Sequence, residues 1–586
     1  MKGLDVNVIE TDVLVVGGGL AGCWAALRAR GIVDRVTLVD KGVVARTGTT
    51  VFCHDLLAGT PEDQRELWLK DIAEHTEYMS EQPVTEVILE EEGDRINDLV
   101  NWGVPFERDD KGDLFLSLGR GHKNGRVVLV DCRKLMEVMK VQVQAKGVKL
   151  VERVMITDLL TSDGQHPTQG RVVGAVGINT RDGQFVAFKA KEVFLSTGYI
   201  GAKLHTCYAD SNTGDGQAMA FRAGAEASGL EFNFGPNFFC SYKGKFHLLT
   251  VLWPLQTQGA HIVNGQGERF LERYFPARKE RRSTQGFISQ AMAKEILEGR
   301  GPIFFDMRHF TPEHFQQLRR ILPIRMAAFD DIGIDPSKEL VPCRPVVSVL
   351  STGGSGGIRI GLDGETNLPG LFAGGVTAQL RCCAESISGL KLAFCSVFGY
   401  RSGEAMGRLA QESASPSIDA GQLRSLKEMV MAPAERKQGI APAELYRQLN
   451  KKRTGLEYSV VKTEATINEV LSETNRIRAE DLPRVWAEDN HHLVKANEVR
   501  NFLDCVEMAY LCSRERRESR QSHYRIDYPF RDDINWLKWV VIRKEDGEIK
   551  VRYEPIPVDS YRVRPAKRER IPSPIQFKPG QVGSST

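Results

Sequence analysis

Thr11-Asp-Val-Leu-Val-Val-Gly-Gly-Gly-Leu-Ala-Gly22 is the stretch whose reading decides the fold. Val13 to Val16 form an unbroken apolar run suited to a buried strand, and Cys23 to Arg30 continue as helix. Between them Gly17, Gly19 and Gly22 set out G-x-G-x-x-G. Gly17 allows the tight turn, Gly19 lets backbone approach a pyrophosphate, and Gly22 lets the helix lie close on the strand. Leu20 and Ala21 fall at the helix N-terminus that faces the anion. A second strand, Val36 to Val39, ends in Asp40, about twenty residues on, where an acid binds a ribose hydroxyl. The pattern predicts a bound dinucleotide.

Working outward, Lys41 opens a loop of small and hydroxyl residues running to Thr50, in which Thr47, Gly48 and Thr49 are candidate donors to phosphate and to a flavin edge. Residues 61–102 read as amphipathic helices, and 171–190 as a β-meander turning at Asp182-Gly183. Glu192-Val-Phe-Leu-Ser-Thr-Gly198 is a short buried strand ending in Thr197-Gly198. Asp215 follows inside a glycine-bracketed turn, suited to cofactor hydroxyls or to capping the helix from Gln217. From about Phe246 the character changes. Arg269, Arg273, Arg278, Lys279, Arg281 and Arg282 cluster ahead of a helix over roughly 283–299, and the segment reads as a cap inserted over a cleft. Leu371-Phe-Ala-Gly374-Gly375 restores the strand-plus-glycine pattern, and Ser388-Gly389-Leu390 precedes a long helix. Residues 410–421 read as a linker, 422–518 as a three- or four-helix module, and the strands around Asp546-Gly547 as a hairpin before a proline-rich basic tail.

The expected architecture is α/β: a Rossmann-like dinucleotide-binding domain (1–245 and 345–410), an inserted α+β capping domain (246–344), a C-terminal helical domain (422–525), and a hairpin with a basic tail (526–586). A chain of 586 residues, 41% apolar, with a formal net charge of +2, carries no field that selects nucleic acid. No apolar run reaches the ~18 residues a membrane span needs, and the N-terminus has no signal-peptide core; the reading is cytoplasmic, with membrane association only through partner subunits. The 11 cysteines form no C-x-x-C, so the chain offers neither a metal site nor an iron–sulfur cluster of its own. Only the vicinal pair Cys382-Cys383 is unusual.

Together with Gly267-Glu-Arg-Phe-Leu-Glu-Arg-Tyr274, Glu298-Gly-Arg-Gly-Pro302 and Glu518-Ser-Arg through Arg531-Asp-Asp533, these elements resemble the flavoprotein family of succinate dehydrogenase and fumarate reductase. Tyr524-Arg-Ile-Asp-Tyr-Pro and Asp533-Ile-Asn-Trp536 look closest to the adenylylsulfate reductase α subunit. The resemblance implies that the Rossmann-like domain is an FAD-binding domain, with the FAD ribose at Asp40 and the isoalloxazine near Thr47 to Thr49 and the helix after Ser388-Gly389. It also implies an iron–sulfur partner subunit in a hetero-oligomer.

The departures narrow the function. Covalent members carry Ser-His-Thr where this chain has Arg46-Thr-Gly-Thr49, so noncovalent FAD is expected. Glu231-Phe-Asn-Phe-Gly-Pro-Asn237 lacks the histidine of C4-dicarboxylate enzymes. Their cap arginine falls near Thr284 or Gln285, their second histidine near Ser348, their late arginine near Ser386, and the acid after the last glycines is Val376. Two carboxylates need fixed cationic donors, so fumarate and succinate are not the expected substrates. The remaining candidates for binding or proton transfer are Arg282, Arg344 at the cap junction, and Glu385, where adenylylsulfate-acting relatives place a histidine. Lys391 is a further candidate for the flavin edge. The expected activity is an FAD-dependent oxidoreductase exchanging hydride or electrons between a small anionic substrate and an iron–sulfur partner. The alternatives are an electron-transfer subunit without its own substrate and an adenylylsulfate-reductase-like enzyme.

Overall fold

The computed structural model describes residues 6–578 apart from 202–210, 234–236, 243–244, 252–254, 257, 277–282, 347–354, 386 and 454. Five short strands form its central sheet: β1 (Val13–Val16), β2 (Val36–Asp40), β3 (Lys149–Glu152), β4 (Glu192–Leu195) and β5 (Leu371–Ala373). Their order is β5-β4-β1-β2-β3, and every neighbouring pair is parallel. A parallel sheet is covered on both faces, which is why β1 reads as uninterrupted Val-Leu-Val-Val and all four residues are buried.

The helix α1 (Leu20–Arg30) follows β1, starting three residues earlier than the apolar run suggests. It reaches the strand through Gly22: a Cβ there would lie 1.9 Å from the Gly17 carbonyl oxygen. Its other side meets a later helix through glycines spaced by four, because Cβ atoms at Gly399 and Gly403 would lie 2.6 and 2.4 Å from the carbonyl oxygens of Ala21 and Ala25. Residues four apart share a helix face, so these glycines form the stripe that lets two backbones touch. The meander is present, with Val172–Asn179 antiparallel to Phe185–Lys189. It is joined by a strand, Val154–Thr161, that the sequence did not announce.

After α2 (Asp215–Ala223) comes a second five-stranded sheet of Lys245–Val251, Asn237–Tyr242, Val341–Val346, Ile303–Asp306 and His261–Val263, in that order. The helix α3 (Gln285–Leu297) belongs to this region and starts at Thr284, whose hydroxyl oxygen accepts the Phe287 N–H at 3.3 Å. Arg344 lies in Val341–Val346, opposite Phe239. Arg282, Ser348 and Ser386 lie outside the described residues.

The long helix α4 (Leu390–Glu412) runs two residues past the expected start of the linker, and the next helix begins at Ala420. Helices Ala420–Glu435, Pro442–Arg453, Glu464–Arg476 and α5 (Asn490–Glu515) follow, then the expected hairpin of Lys538–Glu545 and Glu548–Pro555. The hairpin is not peripheral: Lys538–Glu545 pairs with Ala227–Ser228. Beside that seam runs a chain of wholly buried ion pairs, Arg516 with Glu231 at 2.7 Å, Arg516 with Glu518 at 2.8 Å, and Arg520 with Glu518 and Asp533 at 2.9 Å. Glu231 is therefore committed to holding the C-terminal region. Among the described residues no helix is long and apolar enough to cross a membrane.

Candidate functional site

A cleft opens at the C-terminal ends of β1, β2 and β4, where doubly wound sheets take their ligands. Gly17, Gly18, Gly19, Leu20 and Ala21 line one wall, and Asp40, Lys41, Thr47, Gly48, Thr49 and Thr50 the next. Val154, Ile156, Ser196, Thr197, Gly198, Asn212, Asp215, Gly375, Val376 and Cys395 complete it. Gly17 turns the chain with φ +107. Gly19 is the N-cap of α1 and brings no side chain to the first-turn N–H groups. Around a Cβ placed on it the nearest atom is the Thr50 hydroxyl, 3.9 Å away. Open space over a side-chain-free helix N-terminus fits a pyrophosphate.

The predicted cofactor residues divide by what they touch. Asp40 accepts the Gly18 and Gly42 N–H groups, each at 2.7 Å, and the Thr47 hydroxyl at 3.0 Å, so it organises both glycine-bearing loops while lining the cleft. Lys41 donates to Thr213 and Asp215, each at 2.8 Å, and to Glu498 at 3.0 Å, tying β2 to α2 and α5. Burial opposes its charge, but the two carboxylates more than compensate and hold the ammonium above the ordinary lysine range. Asp215 also accepts from Thr213 and Asn501, each at 2.9 Å. It is the first residue of α2, so both readings of this acid meet in one place: it lines the cleft and complements the helix N-terminus.

Thr49 accepts the Asn212 amide at 2.8 Å, and the Thr197 hydroxyl accepts the Gly216 N–H at 3.0 Å. Thr377 accepts the Gly198 N–H at 3.0 Å. Gly22 and Gly374 do not line the cleft; they lie behind it, where a Cβ at Gly374 would sit 2.4 Å from the Phe194 ring. Ser388, Gly389 and Leu390 also lie outside this lining and form the start of α4, with Gly389 as N-cap at φ 77.

At that start a second group of polar residues gathers. Backbone and side chain of Ser388 bracket Arg120: the Arg120 N–H donates to the Ser388 hydroxyl at 3.0 Å, and the Ser388 N–H to the Arg120 carbonyl at 3.1 Å. His122 Nε2 lies 2.8 Å from the Ser388 carbonyl oxygen. Glu385 is buried and accepts the Gly286 N–H at 2.9 Å, which ties the loop before α4 to the start of α3. Burial raises its carboxyl above the usual range, against the pull of the α3 amides and of Arg120. Burial lowers Lys391 to about 8, although Cys383 and Glu385 oppose that shift. Cys382 and Cys383 are both buried, with the Cys383 sulfur 3.4 Å from the Ser355 hydroxyl. Of this group, sequence reasoning found Glu385, Lys391 and the serine but missed Arg120 and His122. The available signal was Gly119-Arg120-Gly121, a charged residue held between two glycines.

Comparison with known proteins gives three kinds of match. Residues 12–386 match the family model described as FAD binding domain, and residues 453–570 the one described as Fumarate reductase flavoprotein C-term. A subunit of the fumarate reductase (CoM/CoB) of Methanothermobacter marburgensis is 28% identical over 550 residues, covering 90% of this chain and 96% of that protein. In structure the chain is similar to E. coli quinol fumarate reductase FrdA, with a TM-score of 0.85 at 22% identity, covering 96% of this chain and 99% of the other. It is also similar to adenylylsulfate reductase from Archaeoglobus fulgidus, with a TM-score of 0.75 at 21% identity over 94% of this chain and 97% of the other.

Proposed function

The chain belongs to the succinate dehydrogenase/fumarate reductase flavoprotein family and is an FAD-dependent oxidoreductase of that type; on that premise we propose that it passes hydride or electrons between a small anionic substrate other than fumarate or succinate and an iron–sulfur partner subunit. The observation that carries this reading is the group of buried Arg120 and Glu385 with half-buried Lys391 at the start of α4, beside the start of α3.

In this reading the chain's own residues divide the work. Gly17 to Gly22 and the α1 N-terminus hold the pyrophosphate, Asp40 the ribose, and Thr47 to Thr49 with Ser388 to Leu390 the ring system. FAD, when bound, supplies the acceptor or donor of hydride or electrons. Its attachment is noncovalent, because Arg46-Thr-Gly-Thr49 offers no histidine. Glu385 is the proton carrier: burial raises its carboxyl above the usual range and so biases it towards the neutral form, which can give and retake a proton. Arg344 and Arg282, from the 246–344 cap, are the candidates for holding the far end of the substrate. The cap arginine of a dicarboxylate clamp would fall near Thr284 or Gln285, which cap and open α3, and Val376, which lines the cleft, is taken to stand where the related acid would. That the Methanothermobacter relative is one subunit of its enzyme supports a partner here, and any membrane association would run through that partner.

The test is a purified, FAD-replete preparation assayed for fumarate-dependent oxidation of a reduced low-potential dye. The expected rate is near background. A rate comparable with true fumarate reductases would overturn the exclusion of fumarate. Isolation of a fully active enzyme as this single chain would overturn the partner.

A further inference from the structure

We propose that Arg120, assisted by Lys391, is the anion receptor of this protein, placed to hold a carboxylate or other oxyanion of the substrate at the start of α4. The proposal rests on the reading above and deepens it, because it assigns the substrate's charge to the loop around Arg120.

Glycines fix the placement. Gly119 and Gly121 flank Arg120, and neither position tolerates a side chain. A Cβ at Gly119 would lie 2.7 Å from the Ser388 Cβ, and one at Gly121 would lie 2.7 Å from the His75 ring and 2.8 Å from Ile387. With the two backbone bonds to Ser388, this pins the Arg120 backbone against the turn that starts α4. At Gly389 the same turn is pressed onto the Leu56–Leu57 backbone, where a Cβ would come within 2.4 Å of the Leu57 nitrogen. Two glycines and a serine thus serve to fix one arginine that is 2% exposed.

Acidic and basic groups both face it. Glu385 and Cys383 face Arg120 from the loop before α4, and Asp55 from the strand Asp55–Leu57. Lys391, on α4 itself, faces Arg120, Cys383, Cys53 and Glu385. His122 shares the Asp55 side, and burial lowers its pKa below the ordinary imidazole value. Of the carboxyls, Glu385 is already engaged by the Gly286 amide of α3, and burial favours its neutral form. Two cations and the N-terminal ends of α3 and α4 therefore converge on one buried region, and the helix ends add their own positive potential there. A guanidinium out of water is stabilised by an anion, and its planar fork matches a carboxylate in two parallel hydrogen bonds.

The test uses the holoprotein and simple anions: acetate, malonate and sulfate, titrated separately while the visible flavin band is followed. Wild type is expected to show a saturable spectral change with at least one of them, and the preferred anion separates a single carboxylate from a dicarboxylate or a sulfur oxyanion. Arg120→Gln should weaken that binding at least tenfold, Arg120→Lys less, and Lys391→Gln about threefold or more, each with its FAD content unchanged. Arg562→Gln in the basic tail should leave it unaltered. An FAD-replete wild type that answers none of the three anions, or an Arg120→Gln variant that binds as tightly as wild type, overturns the receptor. If Arg120→Gln fails to fold, unchanged anion affinity in both Arg120→Lys and Lys391→Gln overturns it as well. A folded chain that takes up no FAD would instead overturn the flavin reading on which it rests.

Discussion

Gly19→Ala and Gly22→Ala place the same methyl group three residues apart, and the structure assigns them opposite consequences. At Gly22 the new Cβ would sit 1.9 Å from the Gly17 carbonyl oxygen and 2.7 Å from the Ser196 hydroxyl. Non-bonded carbon needs about 3.5 Å, so α1 must retreat from β1 by roughly 1.5 Å. It cannot do so freely, because Gly399 and Gly403 hold its other side against α4. Overpacking of this kind costs about 1–3 kcal/mol and more where backbone is the obstacle, so the expectation is about 3 kcal/mol lost from the flavin-free protein. At Gly19 the nearest atom to the new methyl is 3.9 Å away, and φ is −77, which alanine adopts without strain. Alanine is a poorer N-cap than glycine by up to about 1 kcal/mol, but it restricts the unfolded chain by about 0.4–1 kcal/mol. The two nearly cancel. Thermal unfolding of flavin-free protein should therefore show Gly19→Ala close to wild type and Gly22→Ala clearly destabilised. FAD titration should show Gly19→Ala at least tenfold weaker, a loss of about 1.4 kcal/mol, since its methyl fills the open space over the helix N-terminus. A Gly19→Ala protein that keeps wild-type FAD affinity refutes the placing of the pyrophosphate on Gly19.

Three further outcomes follow from the same structure. Lys41→Met should cost about 3 kcal/mol by leaving Asp215 buried without its cation and Glu498 with Lys495 alone, read as a lower denaturation midpoint. Glu92 is fully buried with both carboxyl oxygens lacking hydrogen-bond partners, and burial raises its pKa well above the ordinary value. The unfolded chain then releases the proton more readily than the folded one, so this residue costs stability increasingly as pH rises above about 4.5. Glu92→Gln should accordingly raise the melting temperature at pH 7–8 and change it little at pH 4–5; an equal effect at both would contradict the assignment. Acid precipitation should release all the flavin into the supernatant, and yellow colour retained in the pellet would contradict noncovalent attachment.

What the sequence disclosed depended on how far apart the interacting residues lie. Gly17, Gly19, Gly22 and Asp40 act within about thirty residues, and their pattern carries its own explanation. The hairpin at Asp546-Gly547 is legible for the same reason, with both residues at positive φ. Helices α1 and α2 start two or three residues before the point their apolar pattern predicts, because the opening turns contain glycine. Gly214, N-cap of α2 at φ 75, conceals a helix that begins at Asp215. The role of Lys41 is half visible: its place beside the cleft follows from Asp40, but its bond to Glu498 spans 457 residues.

The cofactor and the substrate differ in legibility for a physical reason. A dinucleotide is held largely by backbone N–H groups and by the absence of side chains, and absence is written locally as glycine spacing. A substrate in this fold is held by side chains that arrive from separate segments. Arg120 meets Ser388 across 268 residues, Glu385 meets Gly286 across 99, and neither contact leaves any periodic trace. The family's own clamp positions offered a sequence guide, and the expected correspondence puts them near Thr284 or Gln285, Ser348, Ser386 and Val376. Loss of charge at those positions reads, in the sequence, as loss of a site. On the reading proposed here, Arg120 brings positive charge to the start of α4 from another loop, the arrangement expected if the pocket has changed its ligand and kept its chemistry.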